Sequence, residues 1–425
     1  MEADARVVAP LSTVVHVGVA VAVAGLAAIG VITDSPFRAL LAAGEVRMEA
    51  FVGLAAAVAA VLSARLVGAR RADVLVAVVL GLTYVSLHNR DGMGDGGIWK
   101  LLSLDDTGHL WTSSYLSHLL LRGLYRVFDN LPYYAPVLGT LTALGVFRCL
   151  RAVLPDARVG TYVVSRLAYL GVGFHCIFLA DFLETTMPSV VVALLGVPSL
   201  VRYVTEDDNR RAVRRLVEAT AALVLAACFH GQFVMLLPAV GVVGLVRLQR
   251  RRLRRTVVEA AAAAVTAVAL VGAVWFLTVV VLGFEAVKGD SAGGGDGKRF
   301  APDLLGKAHL QTAGSVVAWF VGAAVAAGVV ACIALALRRA GFLRRPPALV
   351  AGLLAAGWLA FAFLWGFDLG YPHEADLMMS MGALAVPAFA LWSEAATRVI
   401  PRLAVVGASL LGVAAQAFIL GGLAK

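Results

Sequence analysis

Repeated apolar runs of membrane-spanning length constrain this chain more than any other feature. They recur from near Leu11 almost to the C-terminal end. A run of about 17–25 apolar residues crosses a hydrocarbon core as a helix, because a helix satisfies its own backbone donors and acceptors without water. The criterion places spans at about 11–31, 50–68, 73–88, 133–152, 160–178, 187–203, 213–230, 232–247, 256–283, 313–337, 346–367, 376–393 and 402–422. The expected fold class is therefore all-α, a polytopic transmembrane helix bundle of about 13 spans forming one domain over 1–425. Charged residues make up 15% of the chain, against about 25% in soluble domains. The first run follows Glu2 and Asp4 and ends at no small-residue cleavage site, which reads as an uncleaved span rather than a signal peptide.

The formal net charge of +9 would suggest nucleic acid in a soluble protein; here it argues topology, and no nucleic-acid partner is expected. One alternating set of loops, with Arg6, holds 24 of the 36 lysines and arginines. Runs such as Arg247, Arg250, Arg251, Arg252, Arg254 and Arg255 belong to it. Positive loops face the cytoplasm. The expectation is a multi-pass plasma-membrane protein with its N-terminus cytoplasmic and its C-terminus outside.

The largest polar interruption, 88–132, then faces outward. Its glycine-rich first half carries Asp91, Asp95, Asp105 and Asp106, and Gly94 and Gly96 flank Asp95. Flanking glycines permit close backbone approach or positive φ, which singles out Asp95; Asp105, Asp106, Asp290 and Asp296 read as solvated. The second half reads as a helix from about Leu110 to Phe128. Leu116, Leu120 and Leu124 fall on one face and Ser114, His118 and Arg122 on another. Trp111, Tyr115 and Tyr125 suit a helix lying at a membrane interface.

A second outward loop, 284–312, is flexible by its glycine content and carries Lys307 and His309; no GK[ST] follows Gly293–Gly295, so no nucleotide loop is read there. A third holds Asp368, His373, Glu374 and Asp376. Asp181, Glu184 and the turn His230-Gly231-Gln232 fall on the same side, with His175 one turn below Asp181. Ionisable groups at membrane depth are costly and usually face a cavity or a partner, so their collection on one side is informative. Arg166, inside a span, reads as snorkelling or paired. The four cysteines lack CxxC spacing and read as buried thiols, with a Cys176–Cys228 disulfide left open.

This layout resembles the GT-C class of integral membrane glycosyltransferases. Gly94-Asp95-Gly96 with Trp99 resembles the "GDG" opening of that class's first outward loop in prokaryotes, and Ser113–Phe128 resembles the helix after it. Phe178–Glu184 is similar to the "lffGyvEnY" turn, with Glu184 at the glutamate and Ala180 at the glycine. Phe229–Pro238 resembles "lHgsal.llPal", and His309-Leu310-Gln311 resembles the "ehl.d..N" start of a late span. Leu369–Leu377 resembles "lGaprDwDlf", with Glu374 replacing its first aspartate.

The resemblance, over roughly 75–395, implies transfer of a sugar from a polyprenyl-phosphate donor to a glycan, lipid or protein acceptor among membrane lipids. Nucleotide sugars are cytoplasmic, so an outward site needs such a carrier. Asp95 is the expected catalytic base. Asp91, His118, Arg122, Glu184, His230, His309, His373, Glu374 and Asp376 are the expected substrate-binding residues. No metal is expected to be obligatory, a divalent ion being left open. The competing readings are a lipid-linked glycan flippase or transporter, which would carry ionisable groups near the midplane or two repeated halves, and a glycan polymerase or ligase.

Overall fold

The computed structural model describes residues 2–33, 48–87, 109–111, 115–128, 131–154, 158–173, 175, 186–248, 253–287, 305–364 and 380–423. Helices carry most of them. The first are α1 (Glu2–Thr33), α2 (Met48–Leu62), α3 (Ala64–Val67) and α4 (Ala69–Leu87). After strand β1 (His109–Trp111) come α5 (Tyr115–Val127), α6 (Tyr134–Val153), α7 (Val159–Leu170), α8 (Met187–Thr205) and α9 (Asn209–Phe229). A 3-10 turn, Gly231–Leu236, leads into α10 (Leu237–Leu248) and α11 (Leu253–Trp275), which runs on as a π-helical segment, Phe276–Val281. Strand β2 (Glu285–Val287) precedes α12 (Lys307–Val321), α13 (Ala323–Ala336), α14 (Pro346–Leu364), α15 (Val386–Ala396) and α16 (Arg402–Leu423).

Six helical stretches among the described residues are long and apolar enough to cross a membrane: Val7–Ile32, Met48–Val67, Tyr134–Val153, Met187–Thr205, Val257–Val281 and Pro346–Leu364. The other runs in the sequence become shorter or more charged helices. Helix α4 carries Arg70, Arg71 and Asp73 at its start, and α9 carries Arg210, Arg211, Arg214 and Arg215. Helix α7 stops at Leu170 after 12 residues, and α15 has 11. The run over 313–337 breaks at Gly322, where φ is 42°. Glycine reaches that left-handed region without a Cβ penalty, so one apolar stretch in the sequence makes two helices.

Close packing depends on small residues. Where α1 crosses α12, a Cβ added to Gly30 would lie 2.2 Å from the Gly314 carbonyl oxygen. Small residues at such crossings let backbones approach closely. Deeper in the bundle Phe320, Trp358 and Phe389 form a ring cluster that continues to Trp392, whose indole N–H donates to Nδ1 of buried His16 at 3.0 Å. Helix α11 differs: almost none of it is buried within the chain.

The arginine-bearing helix ends are tied by buried ion pairs. Arg166 donates from Nε and Nη2 to both oxygens of Asp73, at 3.0 and 2.9 Å, with both side chains buried. Arg151 joins the same carboxylate, and the Arg166 guanidinium sits 4.5 Å from the Tyr162 ring centroid. Of the two readings of Arg166, pairing is the one observed. A second buried pair, Arg247 with Glu259 at 3.0 Å, is completed by the Tyr203 hydroxyl donating to Glu259 at 2.7 Å. Cys149, Cys228 and Cys332 are free thiols; Cys176, the other half of the disulfide left open, lies outside the described residues.

One boundary is corrected. The helix expected over 110–128 begins at Tyr115, and His109–Trp111 instead forms a strand parallel to Glu285–Val287. Periodicity along one segment carries no information about a partner some 175 residues away, and the pairing satisfies backbone groups that a helix would otherwise satisfy internally.

Candidate active site

Four of the expected site residues, His118, Arg122, His230 and His309, lie among the described residues. Asp91, Asp95, Glu184, His373, Glu374 and Asp376 lie outside them, as do Asp105, Asp106 and Asp181. The helix ends that lead into those segments are described, and they define the surroundings of the candidate site.

Two of these ends are held together directly. Tyr84 lies one turn before the end of α4, from which the chain enters 88–108. His175 immediately precedes 176–185. The Tyr84 hydroxyl donates to His175 Nδ1 at 2.7 Å, and His175 Nε2 donates to the Tyr169 carbonyl at 3.3 Å. A carbonyl can only accept, so Nε2 carries the proton and Nδ1 receives the phenol's. Both residues are buried, and the Tyr169 ring meets the imidazole edge-on with centroids 5.0 Å apart. The described residues that flank 88–108 and 176–185, the segments bearing Asp95 and Glu184, therefore share a buried anchor.

Helix α5 turns its polar side inward. Ser117, His118, Leu121, Arg122 and Tyr125 are buried, while Leu120 is 38% exposed and Leu116 and Leu124 are half-buried. Spacing of one, three and four residues puts the buried set on one face of the helix. Leu121 and Tyr125 pack with Leu131, and α5 leans on α9. Arg122 places its guanidinium carbon 4.9 Å from the centroid of Phe284, just before β2. With the β1–β2 ladder, this is a second tie between the first and second loops.

The remaining described residues join the later loops. His230 caps the end of α9, and its Nδ1 accepts from the Gln232 backbone N–H at 3.5 Å. Gln232 Nε2 donates to Ser380 Oγ at 2.8 Å, linking this turn to the chain emerging from 365–379. At the start of α12, His309 Nε2 donates to the Phe363 carbonyl at 2.7 Å, near the end of α14 where the chain enters that same segment. The 3-10 turn packs on α14, and α14 on α12, so these ends adjoin through successive contacts. Among the described residues no three His, Cys, Asp or Glu side chains group as metal ligands.

No protein-family model, curated protein or solved structure matches the chain.

The sequence pointed to His118, Arg122, His230 and His309, but not to Tyr84, Ser380 or Phe284. Tyr84 is the only one with a visible cue: a tyrosine within an apolar span needs a partner for its hydroxyl. A single chain read in order does not say that the partner is His175.

Proposed function

We propose that the chain is a membrane glycosyltransferase of the GT-C type, moving a sugar from a polyprenyl-phosphate donor to an acceptor on the outward face of the cell membrane. In this reading the shorter helices complete a bundle of about thirteen spans, and the arginine-rich ends and the N-terminus are cytoplasmic. The observation that carries it is the Tyr84–His175 hydrogen bond, which brings together the feet of the segments bearing Asp95 and Glu184.

The chemistry follows from the residue types. Asp95 takes the proton from the acceptor hydroxyl, and that oxygen attacks the anomeric carbon. The bond from this carbon to the phosphate oxygen breaks, and polyprenyl phosphate leaves as the anion. A base and an electrostatic partner for the leaving oxygen are the two groups such a step requires. Arg122 suits the second role. Its guanidinium is always charged, and its position on the buried face of α5 beside Phe284 places that charge where water is scarce. The half-buried leucine row on the other side of α5 suits contact with the carrier's tail. His230, His309, Glu184 and the 373–376 residues would bind the sugar and acceptor.

Purified protein in liposomes tests the reading by donor class. Transfer should proceed with polyprenyl-phosphate sugar and should fail with a nucleotide sugar alone. Robust transfer from the nucleotide sugar alone would reject it. Movement of the lipid-linked sugar between leaflets without consumption would favour a flippase, and transfer of a preassembled glycan a polymerase or ligase.

A further inference from the structure

A second feature lies at the other end of the bundle. A cavity of about 350 Å³ opens among the arginine-bearing helix ends, lined by Arg339, Arg345, Arg398, Glu394, Thr161 and the Phe342 ring. Helix α14 starts beside it and ends near His309. Its 19 residues span about 28 Å at 1.5 Å per residue, so this cavity is separate from the candidate active site.

The charges in the cavity are unevenly satisfied. One oxygen of buried Glu394 accepts from Arg402 at 3.1 Å, with Arg398 at 3.8 Å. The other, Oε2, is buried with no hydrogen-bond partner. Arg339 and Arg345 are exposed and have no side-chain hydrogen bond or ion pair among the described residues. Three guanidinium groups against one carboxylate leave an excess of positive charge, with planar donor forks suited to phosphate oxygens. A buried carboxylate oxygen without a donor is costly, and a ligand that supplies one would relieve it. The volume lies toward the small end of ligand sites. It suits a headgroup rather than a nucleotide sugar or an oligosaccharide.

We infer that this cavity binds a phosphate ester carrying a hydroxyl or ammonium donor: phosphate to Arg339, Arg345 and Arg398, donor to Glu394. A lipid headgroup in the adjoining leaflet and a small soluble phosphate ester share this chemistry. Basic pockets between membrane helices are suited to headgroups, and apolar Phe342 and Leu391 at the lining would meet the start of an acyl chain.

Binding of dioleoyl phosphatidylglycerol, dioleoyl phosphatidylcholine and glycerol 3-phosphate to the purified full-length protein in detergent tests this. Arg339→Gln with Arg345→Gln is the chosen variant, because neither side chain holds the fold together; its melting should match wild type. Phosphatidylglycerol should bind wild type and lose about tenfold or more in the variant, the scale of a charge-assisted hydrogen bond. Phosphatidylcholine, which has the phosphate but no donor, should bind several-fold more weakly. Binding of glycerol 3-phosphate with the same arginine dependence would support the site and identify a soluble source; its failure to bind would assign the site to lipid. Failure of both phosphatidylglycerol and glycerol 3-phosphate to bind wild type, or equal binding by wild type and variant, would overturn the inference.

Discussion

The hydroxyl of Tyr84 meets Nδ1 of His175 at 2.7 Å in the buried interior, joining the end of α4 to the chain that leaves α7. Tyr84→Phe keeps the ring and removes the donor. A buried acceptor left unsatisfied costs about 1–3 kcal/mol, so the detergent-solubilised variant should unfold at measurably lower denaturant. Transfer should fall more than the fraction unfolded explains, because the foot of the Asp95 segment loses its anchor. Unchanged stability and transfer would show that this hydrogen bond positions nothing.

Arg122 should act on the donor phosphate and not only on packing. Arg122→Gln removes the charge, and Arg122→Lys keeps it while losing the guanidinium over the Phe284 ring. Transfer should fall by about tenfold or more in the glutamine variant. The lysine variant should recover part of the loss. Equal activity in both variants and wild type would take Arg122 out of the site.

The Asp73–Arg166 pair is a structural prediction, independent of function. Removing one partner from a buried pair typically costs about 3–5 kcal/mol, whereas replacing both with apolar groups is often neutral. Asp73→Leu alone should destabilise strongly, and adding Arg166→Met should restore most of the loss. Arg151 is 42% exposed and can turn to water. Unfolding of the two variants in mixed micelles decides it.

Gly30 and Gly314 predict a steric limit. Gly30→Ala would put a methyl carbon into the α12 backbone, which cannot turn aside as a side chain could. Overpacking of this kind costs about 1–3 kcal/mol or more. Gly18→Ala in the same helix, where an added Cβ meets nothing within 4 Å, should be nearly neutral.

The sequence was most legible where the physics is local. Apolar run length marks the helices, and the alternation of arginine-rich loops groups the remaining polar residues. The inward turn of His118 and Arg122 was present as a helical row. What escaped it depends on partners far apart in the chain. Pairing of His109–Trp111 with Glu285–Val287 shortened the expected interfacial helix, and the break at Gly322 was hidden in a run apolar on both sides. Nothing local marked Asp73 at the start of its span, because its partners Arg151 and Arg166 lie far along the chain.

The central claim rests on Asp95, and transfer by Asp95→Asn tests it most directly. The substitution keeps the shape of the side chain and removes its basic oxygen. A positioned base contributes about 10²–10⁴-fold, so transfer from a polyprenyl-phosphate sugar should fall by that factor with expression and melting near wild type. Asp91→Asn, four residues earlier in the same glycine-rich segment, should lose far less. A large loss in Asp91→Asn with Asp95→Asn still active would move the base to Asp91. Full transfer by both variants would contradict the assignment of the catalytic base to this segment.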